Sequence, residues 1–424
     1  MTRPPTLPAV LSLAALCAAS LLPAGLAQAQ SSPWYIGASQ TLTHESNVLR
    51  LGDGQATPAG FSRSDTISST ALIAGLDQPI GRQRLYGNVA LRRNTLSRNS
   101  VYDNDGYTLA AGLDWSTIER LSGSLNLSST RRLGSNNAEE IGFLRQRNLE
   151  TSTQFDATVR VGLVTQWTAE LGAGYRDIDN SLEQRNVQAR NFRQQTASAG
   201  VRWRPSTVSD FGLALRATSG EYPRFDVAAN GDFIGDKFKR QDIDLTANYR
   251  PSSISNFDAR ISLGQVSYDR ATQRDFDGLT GALGWTWQAT GKLRVNTRLT
   301  RDTSQDSYAV RLFGFFDGTT DYSRITNGLR VGVDYAFSAK LGFNASVQQL
   351  ERKLVRTLPP NPLIPTTATG TESYTVLSLG ARWQPQRSVL LGCDVGKETR
   401  RGSGPLASDL GNDRYGCYAQ FTIQ

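Results

Sequence analysis

The sequence is poor in several residue types that carry chemistry. Its 424 residues include one histidine, one methionine and three cysteines, and only six of the 46 basic residues are lysine. A single histidine excludes metal sites built from several histidines and disfavours catalysis by a histidine base. Beyond the N-terminal segment, no stretch approaches the roughly 18 consecutive apolar residues of a membrane-spanning helix. We therefore predict that the protein is not an enzyme and uses no metal or cofactor.

The first 29 residues have the layout of a secretory signal peptide. Arg3 supplies the positive charge, an apolar stretch covers 9–22, and Ala27-Gln28-Ala29 has the small-x-small pattern of a cleavage site. We expect cleavage near Ala29 and a single domain over 30–424. Loss of Arg3 lowers the formal net charge from +8 to +7. The mature chain would then meet an oxidising compartment.

In place of long apolar runs, the sequence has strict alternation of apolar and polar residues. The pattern is clear in 85–91, 155–163, 243–249 and 341–347. A period of two places one set of side chains on each face of a β-sheet. The alternation predicts about 18 strands, which begin near residues 34, 66, 82, 107, 120, 149, 166, 190, 208, 238, 254, 275, 291, 322, 340, 372, 387 and 413.

The connections between these strands alternate in length. Short turns are predicted near 79, 118, 165, 206, 252, 290, 339 and 386, and longer polar segments lie between them, such as 44–64, 220–237 and 352–371. Short turns at one rim and long loops at the other are typical of bacterial transmembrane barrels. We predict an all-β fold, a transmembrane antiparallel up-and-down β-barrel with short periplasmic turns and long extracellular loops. The alternative is a large soluble β-sandwich, β-helix or propeller, but the polar face lacks a second set of packing residues.

If the apolar set faces lipid, the alternate set lines a lumen. Charges on a lipid face cost about 2–4 kcal/mol, so the alternation assigns them inward. The predicted pore-lining residues are Arg92, Arg160, Arg176, Arg202, Arg216, Arg260, Arg294, Arg298, Arg330, Arg382, Asp114, Glu170, Asp244 and Asp334. Two interpretations stay open: a wall stabilised by ion pairs such as Arg160 with Glu170, or an arginine excess that draws anionic solutes into the pore.

The two cysteines of the mature chain lie at equal distances from the last predicted loop. Cys393 and Cys417 are symmetric about residue 405, and both fall in the apolar, outward frame. The symmetry predicts that they are neighbours on adjacent strands. They would form either a disulfide or a pair of buried thiols.

Several diffuse motifs resemble one family. Trp34-Tyr35-Ile36-Gly37 begins the first strand, 44–48 supplies a polar continuation, and frames of the form Gly-x-x-Trp/Tyr, such as 200–203, precede the short turns. Over essentially the whole mature chain, these features resemble the EpsL-type exopolysaccharide-operon outer-membrane proteins, within a broader group of β-barrel porins. The resemblance implies a Gram-negative outer-membrane barrel with a role in polymer export and no catalytic residues. One departure is the C-terminus, which ends in Gln424 rather than in an aromatic residue.

Pattern and resemblance together lead to a functional expectation. We expect a porin-like conduit with an arginine-rich lumen for extracellular polysaccharide. Its partners would be outer-membrane lipid, an anionic exopolysaccharide and the polysaccharide export machinery. Nucleic acid is not expected, because the basic residues are spread around a lumen and loops in an exported protein. The alternatives are a general diffusion porin and a plugged barrel that binds or anchors polysaccharide at the cell surface.

Overall fold

The structure is a computed structural model that describes residues 32–134, 144–162, 166–228, 230–303, 323–357, 367–404 and 409–424. The predicted signal peptide lies outside the described residues. Eighteen strands are present: β1 Trp34–Glu45, β2 Asp65–Ile80, β3 Gln83–Leu96, β4 Asn104–Ser116, β5 Leu121–Leu133, β6 Leu149–Val161, β7 Trp167–Asn180, β8 Phe192–Trp203, β9 Ser209–Val227, β10 Phe233–Ser252, β11 Ser255–Tyr268, β12 Phe276–Gln288, β13 Leu293–Asp302, β14 Ser323–Tyr335, β15 Leu341–Thr357, β16 Thr367–Gln386, β17 Val389–Ser403 and β18 Leu410–Ile423.

The strands form one closed antiparallel sheet. Each strand pairs with the next along the chain, and β18 returns to pair with β1, from Ile36 opposite Ile423 to Glu45 opposite Arg414. Closure leaves no unpaired sheet edge, so the backbone hydrogen-bonding groups of the strands are satisfied within the barrel. The predicted up-and-down β-barrel and its count of 18 strands are confirmed.

Helical structure in the described parts of the chain is minor. It consists of one α-helical turn, Arg185–Gln188, and the 3-10 turns Ser100–Tyr102 and Thr272–Arg274. No helix among these residues is long and apolar enough to cross a membrane.

The two ends of the barrel differ, as the turn pattern predicts. We call the end with the brief connections, such as 253–254 and 387–388, the short-turn end, and the opposite end the loop end. Two connections at the loop end are shorter than predicted. β9 and β10 stay paired out to Val227 opposite Phe233, and β15 and β16 out to Thr357 opposite Thr367. At this end of β9 and β10 the outward side chains become polar. The apolar pattern therefore stops there, although the strands continue.

Side chains at the short-turn end link neighbouring turns. Arg82 Nη1 donates to the carbonyl oxygen of Thr117 at 2.9 Å, in the next turn along the chain. Lys340 Nζ donates in the same way to the carbonyl oxygen of Pro385, also at 2.9 Å. These bonds tie one hairpin to the next at this end of the barrel.

The outer face of the barrel is apolar. Leu72, Leu171 and Leu215 are each more than 60% exposed, far beyond the exposure of leucine in a packed core. Aromatic rings collect on this face at the short-turn end, where Trp167 and Trp203 stack with their ring centroids 5.9 Å apart. Rings at this height match the interfacial girdle of a membrane barrel.

The interior of the loop end is packed. Tyr222, Phe238, Tyr268 and Phe276 point inward from β9 to β12 and form one buried apolar cluster. A second cluster brings Leu49 and Leu51 of the β1–β2 loop against Leu96 and Tyr102, and a third joins Leu144, Leu182 and Val187. Apolar side chains from strand ends and connections therefore fill this part of the barrel.

Candidate functional site

Strand register separates the two faces of the wall residue by residue. On β10, Ile243 and Leu245 are about half exposed outside, whereas Asp242 and Asp244 are buried inside. The structure places every predicted pore-lining residue on the inner face. This holds for Arg92, Arg160, Arg176, Arg202, Arg216, Arg260, Arg294, Arg298, Arg330, Arg382, Asp114, Glu170, Asp244 and Asp334.

Four strands carry a chain of ion pairs near the short-turn end. Arg160 Nε donates to Glu170 Oε2 at 2.8 Å, across the hairpin where the two residues are in register. Glu170 also contacts Arg202 at 3.5 Å. Arg202 in turn contacts Asp210 at 3.3 Å, and Arg204 contacts the same carboxylate at 2.9 Å. The sequence placed Arg160, Glu170 and Arg202 on this face but did not single out Asp210.

A second, more deeply buried cluster lies on β9 to β11. Arg216 contacts Asp244 at 2.8 Å and Asp242 at 3.2 Å. Arg240 holds Asp242 from the other side at 2.7 Å, and the hydroxyl of Ser262 donates to Asp244. Buried charges persist when they are paired and hydrogen-bonded in this way.

Arg240 also contacts the residue that directly follows β13. Its Nη1 donates to the hydroxyl of Thr303 at 2.9 Å, and its Nη2 contacts Thr280 on β12 at 3.4 Å. Arg240 itself is on β10, so the contact spans three strand spacings of the wall. Thr303, the residue directly after β13, is therefore buried against the inner wall.

The remaining predicted residues are less tightly grouped. Arg298 contacts Asp258 at 3.4 Å and Arg260 contacts Asp302 at 3.8 Å. The strand register places further inner residues directly opposite each other. Arg294 is opposite Asp334, Arg330 is opposite Arg298, and Asp114 is opposite Arg84. The guanidinium of Arg176 lies 5.3 Å from the ring centroid of Phe192, and Arg92 contacts Thr108 at 3.4 Å.

Sequence reasoning missed a set of inward acids at the loop end. They pair with inward arginines: Glu150 with Arg132 at 2.6 Å and Glu372 with Arg400 at 3.4 Å. The alternation continues into these residues, although the outward positions there are polar, so the period alone could have found them. These acids offset part of the arginine charge. The loop end therefore favours the interpretation of a wall stabilised by ion pairs over that of an arginine excess with a field of one sign.

The β1–β2 loop is fastened into this wall. Its Arg50 has a positive φ of 54°, contacts Glu45 at 3.3 Å and forms an ion pair with Glu398 on β17. Burial acts to lower the pKa of Arg50, but the Glu398 and Glu45 carboxylates outweigh it and raise that pKa above its ordinary value. Nearby, the backbone N–H of Asn47 donates to Asn412 Oδ1 at 2.8 Å. The guanidinium therefore stays charged and ties the loop to β1 and β17, while Asn47 ties it to β18.

Exposure of the inner charges changes along the barrel axis. Toward the short-turn end, Glu170 is 30% exposed and Asp258 is 42% exposed. Toward the loop end, Arg240 and Glu372 are each 2% exposed. Water therefore reaches the inner wall from the short-turn end, while the described part of the loop end is packed.

Lysine is confined to the outside of the barrel, whereas arginine is found on both faces. The basic groups that line the interior are arginines, whose planar, permanently charged guanidinium suits bidentate pairing. All six lysines are exposed on the outer face or at the short-turn rim, at positions 237, 239, 292, 340, 353 and 397. On β10, for example, Lys237 and Lys239 are exposed while Phe238 and Arg240 are buried inside.

The structure joins Cys393 and Cys417 in a disulfide. They are directly opposite each other on β17 and β18, on the outer face. Within the described ranges, no group of three or more His, Cys, Asp or Glu side chains is arranged to hold a metal ion.

Comparisons with known proteins give similarity of shape only. No protein-family model and no curated protein matches the sequence. Among solved structures, the chain is similar to OpdK from Pseudomonas aeruginosa, with 12% identity over 92% of this chain and 99% of that one and a TM-score of 0.47. It is also similar to OccK2 (OpdF) from the same organism, with 13% identity over 92% and 97% of the two chains and a TM-score of 0.47. Likenesses this weak say nothing of what this chain does.

Proposed function

We propose that the chain is an outer-membrane barrel of a Gram-negative bacterium that serves as a diffusion channel for small hydrophilic solutes. One observation carries the proposal: a closed 18-strand barrel has an apolar outer face and an inner face with partly solvated charges. In a bilayer, closure satisfies the backbone and the apolar face suits lipid. A barrel of this strand number is wide enough to hold water.

The inner wall suggests how solutes would pass. In the series of ion pairs from Arg160 to Arg204, the charges are paired across strands yet remain partly exposed to solvent. Such groups exchange hydrogen bonds with a passing solute without forming a deep binding site. The packed loop end, fastened through Arg50, would narrow the path and set the size limit.

Planar-bilayer recording of the refolded mature protein tests this proposal. We expect stepwise conductance in KCl, and a larger step for Arg50→Gln, because the loop loses its contacts with Glu398 and Glu45. Arg93→Gln is the matched control, since Arg93 forms an exposed outer pair with Asp105, and it should leave the step unchanged. Absence of any step from protein that migrates as a folded barrel in unheated gels would reject the diffusion channel.

An exopolysaccharide conduit is the second candidate. It is supported by the partly solvent-exposed arginines and acids of the inner wall, which could bind acidic sugars weakly and at many sites. The EpsL-type sequence resemblance also supports it. The partners would then be an anionic exopolysaccharide and the polysaccharide export machinery. Deletion of the gene should abolish secretion of the polymer. A deletion strain that secretes at the normal rate rejects this candidate.

The packed loop end favours a third arrangement, a plugged barrel that binds polysaccharide at the cell surface. Such a barrel would show no conductance steps. Intact cells that carry it would nevertheless retain labelled polysaccharide better than the deletion strain does.

A further inference from the structure

Three inward tyrosines lie on one side of the barrel, away from the ion pairs of β6 to β9. Tyr35 is on β1, Tyr86 is on β3 and Tyr418 is on β18, and each is in the half of its strand nearer the short-turn end. Because β18 pairs with β1 and β1 with β2, the three tyrosines occupy one continuous arc of the wall. All three are half-buried, so part of each ring remains accessible to solvent.

Each tyrosine is directly opposite a glycine on the next strand. The pairs are Tyr35 with Gly75, Tyr86 with Gly112, and Tyr418 with Gly392. A Cβ added at any of the three glycines would collide with the ring carbons, and would lie within 2.5–2.7 Å of the tyrosine hydroxyl oxygen. The glycines therefore let the rings lie flat on the wall, with one face toward the lumen.

A polar side chain follows the glycine in each case, one strand further on. Gly75 is opposite Asn88, Gly112 is opposite Asn126, and Gly392 is opposite Arg382. We call these three sets the Tyr–Gly–polar rows. Their repetition places a hydrogen-bonding group at the far edge of each ring.

The row on β3 to β5 shows the contacts in detail. The hydroxyl of Tyr86 donates to Asn126 Oδ1 at 2.9 Å, so the side chain spans Gly112 and lies along the wall. The guanidinium of Arg84 lies over the Tyr86 ring, 5.2 Å from the ring centroid, and is held by Asp77 at 2.6 Å. The aromatic ring thus has an amide at its hydroxyl edge and an ion pair of a guanidinium and a carboxylate beside its face.

We propose that the Tyr–Gly–polar rows bind pyranose sugars in the lumen. A pyranose ring has apolar C–H faces and a rim of hydroxyl groups, so it suits a flat ring with hydrogen-bonding groups at its edge. The rings on the outer face, such as Trp167, face away from the lumen and cannot take this role. The inference rests on the proposed channel, because a sugar must enter the lumen to reach the rows, and it names the solute class of that channel.

Current block by maltohexaose in planar bilayers tests the binding. We expect brief, reversible blocks of the wild-type current, and none from polyethylene glycol of similar mass, which lacks pyranose faces. Tyr86→Leu and Tyr418→Leu should each shorten the block by about tenfold, which corresponds to roughly 1.4 kcal/mol. Tyr86→Phe keeps the ring and should retain most of the block. Tyr249→Leu, on the outer face, is the matched control and should have no effect.

The outcomes separate three situations. If the leucine variants lose stability but block as long as wild type, the rings only cover the glycines of the sheet, and sugar binding is rejected. Conductance without any maltohexaose block also rejects it, while the diffusion channel stands. If no conductance is seen, titration calorimetry of maltohexaose against the barrel in detergent measures binding from the short-turn end. Equal heats for wild type and for the variant in which Tyr35, Tyr86 and Tyr418 are all replaced by leucine would then overturn the proposal.

Discussion

Removing the charge of Asp242 should be among the most destabilising single changes in the inner wall. The Asp242 side chain is completely buried, and that of its partner Arg240 is 2% exposed. Nε and Nη2 of Arg240 donate to this carboxylate at 2.7–3.0 Å, and Arg216 contacts it at 3.2 Å. Asp242→Asn keeps the shape but leaves buried guanidinium charge uncompensated. Loss of one partner of a buried pair costs about 3–5 kcal/mol, so we expect a loss of that size in the free energy of unfolding.

Urea unfolding in lipid vesicles, followed by tryptophan fluorescence, would measure the loss by linear extrapolation. Asp105→Asn is the matched control, because the Arg93–Asp105 pair is exposed on the outer face, and its effect should be far smaller. The double variant Asp242→Asn/Arg240→Met should recover part of the stability, since it also removes the stranded cation. If Asp242→Asn costs no more than Asp105→Asn, or if the two changes in the double variant simply add, the reasoning is refuted.

Two further predictions concern the disulfide and the loop end. Titration of the mature protein, unfolded without reductant, should detect no free thiol, because Cys393 and Cys417 are joined; two free thiols would contradict this, and a single thiol would indicate that Cys17 is still attached. Burial raises the pKa of Tyr102 from 10.0 to about 12. Between about pH 10 and pH 12 the unfolded chain therefore loses a proton that the folded chain keeps, so the stability should fall as the pH rises through this window. Tyr102→Phe should remove that part of the pH dependence in urea midpoints, and an unchanged slope would contradict the assignment.

Most of the barrel could be predicted from the sequence because a period of two is a local signal. The strands predicted near 34, 149 and 166 begin at Trp34, Leu149 and Trp167. The alternation also placed Arg160 and Glu170 on one face, and the short turn between them fixed their register. The predicted strand ends were wrong where the apolar pattern stops before the strand does. β10 begins at Phe233, earlier than predicted, and the pattern misses this part because Lys237 and Lys239 occupy its outward positions.

Contacts between residues far apart in the chain could not be predicted from the sequence. Glu45 meets Arg414, and Arg50 meets Glu398, only because closure places β1 beside β18. The inward fold of the β1–β2 loop depends on Leu49 and Leu51, which are too few to form a periodic pattern. The Tyr–Gly–polar rows require alignment to a single residue across three strands, whereas alternation gives only the face.

The exclusion of lysine from the interior divides the barrel by chemical reactivity. Primary amines are found on the outer face and the short-turn rim, and the charged lining of the interior consists of guanidinium and carboxylate groups. A reagent that attacks amines would therefore coat the outside and leave the lining chemically intact. The protein could be attached to a surface or carry a label through its lysines without a change in the groups that a solute would meet.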